Sequence, residues 1–101
     1  MITVRQTAVY ASWLRTLRDT QAKARILARV RRLIDGNPGD VKPVGAGISE
    51  LRIDYGPGYR VYYTRRGREL LLLLCGGDKR TQDADIAEAK RLVAAWKDQP
   101  L

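Results

Sequence analysis

The sequence predicts an α+β fold with the element order β-α-α-β-β-β-α. Three observations support it. Apolar residues recur twice at helical spacing before residue 36, three segments between 48 and 75 have strand patterns, and helical spacing returns after residue 83. Because short turns join the three strands, they should form an antiparallel sheet. We expect the N-terminal helix pair to pack on one face of this sheet, and the C-terminal helix to lie near an edge or over the other face.

The N-terminal part of the chain is predicted to form a short strand over residues 2–6 and then two helices, from Ala8 to Leu17 and from about Gln21 to Asp35. Both helices are predicted from apolar side chains at helical spacing. These are Tyr10, Trp13, Leu14 and Leu17 in the first, and Ala22, Ile26, Val30 and Leu33 in the second. The Gly-Asn-Pro-Gly sequence at 36–39 ends the second helix. Residues 37–47 are predicted to be a loop.

Three strands and a final helix are predicted next: strands at 48–54, 59–64 and 69–75, and a helix from about Asp83 to Trp96. The first two strands alternate, which places Leu51 and Ile53 on one face and Glu50 and Arg52 on the other. The third strand is apolar on both faces, a pattern typical of a central strand covered on both sides. Its cysteine, Cys75, is interpreted as a small buried hydrophobic residue.

The composition restricts the class of protein. The 101 residues suit one domain, 1–101, with a single core. With no histidine and one cysteine, the chain cannot form zinc-ligand clusters or Ser/His and Cys/His catalytic pairs. The longest apolar run is too short to cross a bilayer, and the N-terminus lacks the apolar stretch of a signal peptide. We therefore expect a soluble, cytoplasmic protein.

Charge is the most informative property of the chain. The net charge is +8, and fourteen of the nineteen cationic residues are arginine. Such a balance favours a polyanionic partner, either nucleic acid or an acidic protein. Arginine suits bidentate contact with phosphate and stacking on bases. Arg25, Arg29 and Arg32 form a row on the second helix, which we interpret as a solvated outer face.

A second group of cations is expected to converge at one end of the sheet. Arg52 and Arg60 are predicted to share a face, with Tyr62 beside Arg60, and the third strand ends in two glycines followed by Asp78, Lys79 and Arg80. A phosphate would offset the repulsion between these cations, and the bare glycine backbone would allow a ligand to approach. The alternative is that the arginines are solvated charges on an open sheet face, paired with Glu50, Asp54 and Asp78.

Three segments resemble the RelE/ParE superfamily of toxins: ELR at 50–52, GYRVYY at 58–63 and GGDKRTQDADI at 76–86. The resemblance is closest to the HigB-like, phage-derived branch of type II toxin–antitoxin systems, and it covers nearly the whole chain. It implies an endoribonuclease that cuts mRNA, typically in the ribosomal A site, without a metal or other cofactor. The 2′-hydroxyl attacks the adjacent phosphate. A cognate antitoxin, expected to be a helix-turn-helix protein, would mask the toxin.

The resemblance implies roles for Arg52, Arg60, Lys79 and Arg80, and the chemistry and predicted placement of the other residues add Tyr62, Gly77, Gln82 and Asp85. The predicted catalytic residues are Arg60, Lys79, Arg80 and Asp85, and the predicted substrate-binding residues are Arg52, Tyr62, Gly77 and Gln82. Asp83 competes with Asp85 as a candidate base, and both also make sense as caps of the last helix. Some members of the superfamily carry a catalytic tyrosine in the C-terminal segment, but here the last tyrosine is Tyr63.

Two other functions remain open at this level. A ParE-like protein of the same fold would inhibit DNA gyrase without catalysing a reaction, and a basic module could bind nucleic acid without cutting it. The clustered cations favour the nuclease, because a gyrase inhibitor has no need of them in a cleft.

Overall fold

The computed structural model describes residues 2–97 and confirms the predicted α+β class. A five-stranded sheet, in the order β1-β5-β4-β3-β2, carries helices on both faces. The elements are β1 (Thr3–Gln6), α1 (Ala8–Thr16), α2 (Thr20–Ile34), β2 (Val41–Gly45), β3 (Ile48–Ile53), β4 (Tyr59–Arg66), β5 (Leu70–Asp78), a 3-10 turn (Lys79–Thr81) and α3 (Gln82–Lys97).

The loop prediction for residues 37–47 is wrong over its second half, where β2 forms an edge of the sheet. This strand pairs antiparallel with β3, with Val41 opposite Leu51 and a register shift between Pro43 and Gly45. Proline and glycine obscure a strand pattern in the sequence. An edge strand tolerates proline, because half of its backbone N–H groups face away from the sheet.

Two further details of the sheet differ from the sequence prediction. The first strand pairs parallel with β5, with Thr3 opposite Leu70, so the sheet is mostly rather than wholly antiparallel. In addition, β5 does not end at residue 75. It continues through Gly76 and Gly77 to Asp78, and both glycines pair with β4.

Each face of the sheet has its own core, and β5 contributes to both. Leu71 and Leu73 pack under α1 and α2 with Tyr10 and Ile26, whereas Leu72, Leu74 and Cys75 pack under α3. Five consecutive leucines, residues 70–74, are buried, and each contributes about 1.5–3 kcal/mol relative to an exposed side chain. The predictions of a doubly covered central strand and of a buried cysteine are therefore confirmed.

Side-chain caps fix the starts of the first two helices. The hydroxyl of Thr7 accepts a hydrogen bond from the Tyr10 N–H at 3.1 Å and donates one to the Leu74 carbonyl, which ties α1 to β5. One carboxylate oxygen of Asp19 accepts from the N–H groups of Gln21 and Ala22 at 3.0 and 3.1 Å. Both contacts satisfy backbone donors that a helix start leaves unpaired. Within residues 2–97, no helix is long and apolar enough to cross a membrane.

Gly76 should tolerate no side chain, because the Trp13 ring of α1 lies directly over its Cα. We expect Gly76→Ala to lower the free energy of unfolding by about 1–3 kcal/mol, as overpacking in a core does. Urea unfolding measures the loss. In a Trp13→Ala background the same substitution should cost much less, and equal costs in both backgrounds would contradict the contact.

Candidate functional site

Three of the four predicted cations, Arg52, Arg60 and Lys79, line one cleft on the α3 side of the sheet. In the register of the strands, Arg52 lies opposite Arg60, and Arg60 lies opposite Gly77. Residues directly opposite each other share a face, so the two arginines lie side by side. Together with Lys79, from the turn after β5, they line an open cleft of about 370 Å³. Its other lining residues are Asp40, Ile53, Asp54, Gly56, Pro57 and Gly58.

Beneath the cleft lies the carboxylate of Glu50, whose side chain is fully buried. It accepts hydrogen bonds from Arg52 Nε at 2.9 Å, from the Tyr62 hydroxyl at 3.0 Å and from Gln82 Nε2 at 2.9 Å. Arg60 Nε lies 3.8 Å from the same carboxylate. Glu50 thus connects three elements of the fold: β3, β4 and the start of α3.

The surroundings of Glu50 keep it ionised. Burial alone would raise its pKa, but hydrogen bonds from Arg52, Gln82 and Tyr62 and the charge of Arg60 outweigh burial, so the pKa lies below its usual value of 4.5. A buried negative charge is stable only when paired and fully hydrogen-bonded. Because Glu50 is charged at neutral pH, it offsets the repulsion between the two arginines.

Arg60 is held firmly at the lining of the cleft. Its side chain is 12% exposed, compared with 33% for Arg52. One terminal nitrogen donates to the Gly58 carbonyl at 2.6 Å, and Nε has no hydrogen-bond partner within the described residues. Gly58 has a φ of +82°, and a Cβ there would lie 2.9 Å from Arg60 Nη1. The turn therefore needs glycine to let the guanidinium reach the cleft.

The expectation that the paired glycines form a bare hollow is wrong. Trp13 covers Gly76 from one face, and the carboxylate of Asp85 covers Gly77 from the other. The hydroxyl of Thr81 donates to Asp85 Oδ2 at 2.6 Å, and burial raises the pKa of that carboxyl in spite of this bond. The glycines serve packing against both neighbours, and the open cleft lies beside them, under the Gly56-Pro57-Gly58 turn.

The other predicted site residues lie around the cleft. Tyr62 is buried beneath it, which does not fit the predicted contact with a substrate. Its hydroxyl instead supports Glu50, and burial strongly raises its pKa. Gln82 is half-buried and also bonds Glu50. Arg80 is exposed, outside the cleft lining, and is paired with Asp78 at 2.8 Å.

Sequence reasoning paired Glu50 with the arginines only in the alternative to a phosphate site, as a partner of solvated charges on an open sheet face, and did not identify it as the centre of the site. The strand pattern placed Glu50 and Arg52 on one face, and that is where both are found. The burial of Glu50 comes from α3, whose first turn covers it with Gln82. A strand pattern carries no information on which helix will cover a given face.

Comparison with known proteins places the chain in a family. Residues 12–95 match the family described as phage derived protein Gp49-like (DUF891). The chain belongs to this family. An uncharacterized protein of Haemophilus influenzae is 54% identical to it over 91 residues, which are 90% of this chain and 92% of that protein.

A solved structure supports the fold of this Gp49-like protein. A chain from the chromosomal ParDE toxin–antitoxin system of P. aeruginosa superposes with a TM-score of 0.63 at 19% sequence identity. The match covers 77% of this chain and 96% of the other. The two chains therefore share their fold.

Glu50→Gln should remove a charge that stabilises the folded protein. The pKa of Glu50 lies below 4.5 in the folded state, so its contribution is complete above about pH 4.5 and is lost as the pH falls through the folded-state pKa. We expect the variant to lose about 2 kcal/mol at pH 7, with a smaller difference from wild type as the pH falls below 4.5. Urea unfolding across this range measures both.

The exposed carboxylate of Glu69 offers a matched control. Glu69→Gln should change the free energy of unfolding by less than about 0.5 kcal/mol. A difference between wild type and Glu50→Gln that grows as the pH falls would contradict an ionised Glu50.

Proposed function

We propose that this Gp49-like protein is the toxin of a toxin–antitoxin pair and that it cleaves mRNA. The observation that carries the proposal is the cleft itself. Arg52, Arg60 and Lys79, from three separate segments, line one open site above a buried carboxylate that keeps the arginines in place. Converging cations of this kind suit a phosphodiester.

The proposed reaction is attack of the RNA 2′-oxygen on the adjacent phosphorus. The 2′-hydroxyl gives its proton to water, the bond between phosphorus and the 5′-oxygen of the next nucleotide breaks, and that oxygen takes up a proton from Lys79, which water restores. The products are a 2′,3′-cyclic phosphate and a 5′-hydroxyl. Negative charge builds on the phosphoryl oxygens and on the leaving oxygen, so cations already in place stabilise the transition state most.

Within this proposal the residues of the cleft have different tasks. Arg60, the more buried arginine, binds the phosphoryl oxygens, and Arg52 assists it from the outer side. Lys79 is exposed at the rim, where an ammonium group can donate a proton to the leaving oxygen. Asp85 is turned toward Thr81 and Gly77, so we assign it a positioning role. Arg80 would contact RNA only outside the cleft.

The proposed partners follow from charge. A net charge of +8 favours association with mRNA and with the ribosome, and with an acidic antitoxin that covers the cleft. A second candidate, inhibition of DNA gyrase, is favoured by the fold shared with a chain of a ParDE system. Such an inhibitor would not require the buried Glu50 and the cations above it.

Arg60→Ala should strongly reduce RNA cleavage, because the transition state loses the most buried cation of the cleft. We expect a decrease of about 100- to 1000-fold, the usual effect of removing one group that stabilises an oxyanion. Primer extension on cellular mRNA after brief induction measures the cuts, and circular dichroism checks the fold.

Arg80→Ala should reduce cleavage less than Arg60→Ala does, since Arg80 is outside the cleft lining.

Arg31→Ala is the matched control, since Arg31 is an exposed arginine of α2 that pairs with Asp35. It removes the same charge and should leave cleavage unchanged. A folded Arg60→Ala protein that still cuts mRNA like wild type would contradict the site. DNA damage in induced cells without mRNA cuts would favour gyrase inhibition instead.

A further inference from the structure

The arginine row on α2 adjoins the cleft. We propose that Arg25 and Arg32 form a second phosphate-binding surface, on a helix that Arg29 fastens beside the cleft, and that this surface holds the RNA strand where it leaves the cleft. The choice of RNA as the ligand rests on the proposed function. The surface itself rests on three independent features: a shared wall, the contacts of Arg29 and the stacking of Arg25.

The first feature is continuity between two hollows. A second hollow, of about 300 Å³, is lined by the three arginines together with Ala28, Ile53 and Asp54. Ile53 and Asp54 also line the cleft. An RNA strand that occupies the cleft can therefore pass over the end of β3 onto α2 without leaving the protein surface.

The second feature is the position of Arg29, which does not fit the prediction of a solvated helix face. Arg29 is half-buried, and its guanidinium donates to the backbone carbonyls of Arg52 at 2.5 Å and Pro38 at 2.8 Å. It therefore fastens α2 to the strand whose Arg52 side chain lines the cleft. A Cβ at Gly39 would lie 3.1 Å from Arg29 Nη2 and 3.6 Å from Arg32 Nη2, which places both guanidinium groups beside the same turn.

The third feature is the orientation of Arg25. Its guanidinium lies over the ring of Tyr55, with its central carbon 4.7 Å from the ring centroid. The hydroxyl of Tyr55 donates to Asp19 at 3.2 Å, which holds the ring in place. A stacked guanidinium keeps the N–H donors along its edge for a phosphate. Arg25 and Arg32 are both exposed.

The spacing of the row suits a polyanion in an extended form. From Arg25 to Arg32 the helix rises by about 10 Å, at about 1.5 Å per residue, so the cations follow the helix axis. A positively charged groove that tracks the backbone is the usual way to hold single-stranded nucleic acid. Among the residues that line the second hollow, Asp54 alone carries a negative charge, which would repel RNA. Removing this charge should therefore strengthen binding of RNA, whereas removing the arginines should weaken it.

The test uses 2′-O-methyl RNA, which cannot undergo the proposed cleavage, as oligonucleotides of three and of ten nucleotides. Fluorescence anisotropy with the full chain gives both affinities. For the double variant Arg25→Ala/Arg32→Ala, we expect the affinity for the longer RNA to fall about tenfold relative to that for the shorter one. In a plot of log binding constant against log salt concentration, the slope for the longer RNA should become less steep by about 1.4. Each phosphate of a single strand that a cation neutralises contributes about 0.7 to this slope, and the double variant removes two cations.

Two further variants sharpen the result. Arg31→Ala, on the same helix, should change neither affinity, whereas Asp54→Asn should tighten binding of the longer RNA by removing a negative charge from its path. A double variant that binds the longer RNA like wild type would overturn the inference. So would a variant that loses affinity for a deca-glutamate peptide but not for RNA, because the surface would then suit an acidic protein.

The proposed function and this inference can fail separately. If cells show no mRNA cuts, but tight binding of the longer RNA still requires Arg25 and Arg32, the nuclease proposal is wrong and the proposal of a phosphate-binding surface stands. If mRNA is cut and the double variant binds both oligonucleotides like wild type, the surface fails and the nuclease proposal remains.

Discussion

Glu50 carries a negative charge in the interior of this protein, and the residues around it compensate that charge. An unpaired buried carboxylate would cost several kcal/mol. Arg52, Tyr62 and Gln82 satisfy it with hydrogen bonds, and Arg60 adds a second cation nearby. The same contacts hold two arginines side by side in an open cleft. A phosphate would therefore meet cations already in position, which is what electrostatic stabilisation of a transition state requires.

Most of the fold could be predicted from the sequence, because its main elements are encoded locally. The helical spacing of α1 and α2 and the doubly apolar pattern of β5 each reflect burial against a neighbour, and the structure has all three. The failures concern pairing at the edges of the sheet. Proline and glycine obscure β2, and the parallel pairing of β1 with β5 joins residues far apart in sequence. Local patterns carry no signal for either.

The site was predicted less completely than the fold. Side-chain alternation and short turns were sufficient to bring Arg52, Arg60 and Lys79 together. Side-chain alternation along a strand could not show which side chains from the helices cover a given residue of the sheet. Asp85 and Trp13 fill the space over the two glycines, and Arg29 turns from the outer face of α2 to the end of β3. These contacts depend on how the helices pack on the sheet. They move the open surface from the glycines to the turn at 56–58 and to the α2 arginines.

The most direct measurement is the titration of the Glu50 carboxyl carbon by 13C NMR in the folded protein. If the carboxylate is ionised and holds the arginines, the midpoint of its titration should lie below pH 4.5. The Arg52 and Arg60 side-chain resonances should shift in the same low-pH range. A midpoint above 4.5, with no response of the arginines, would contradict the role assigned to Glu50.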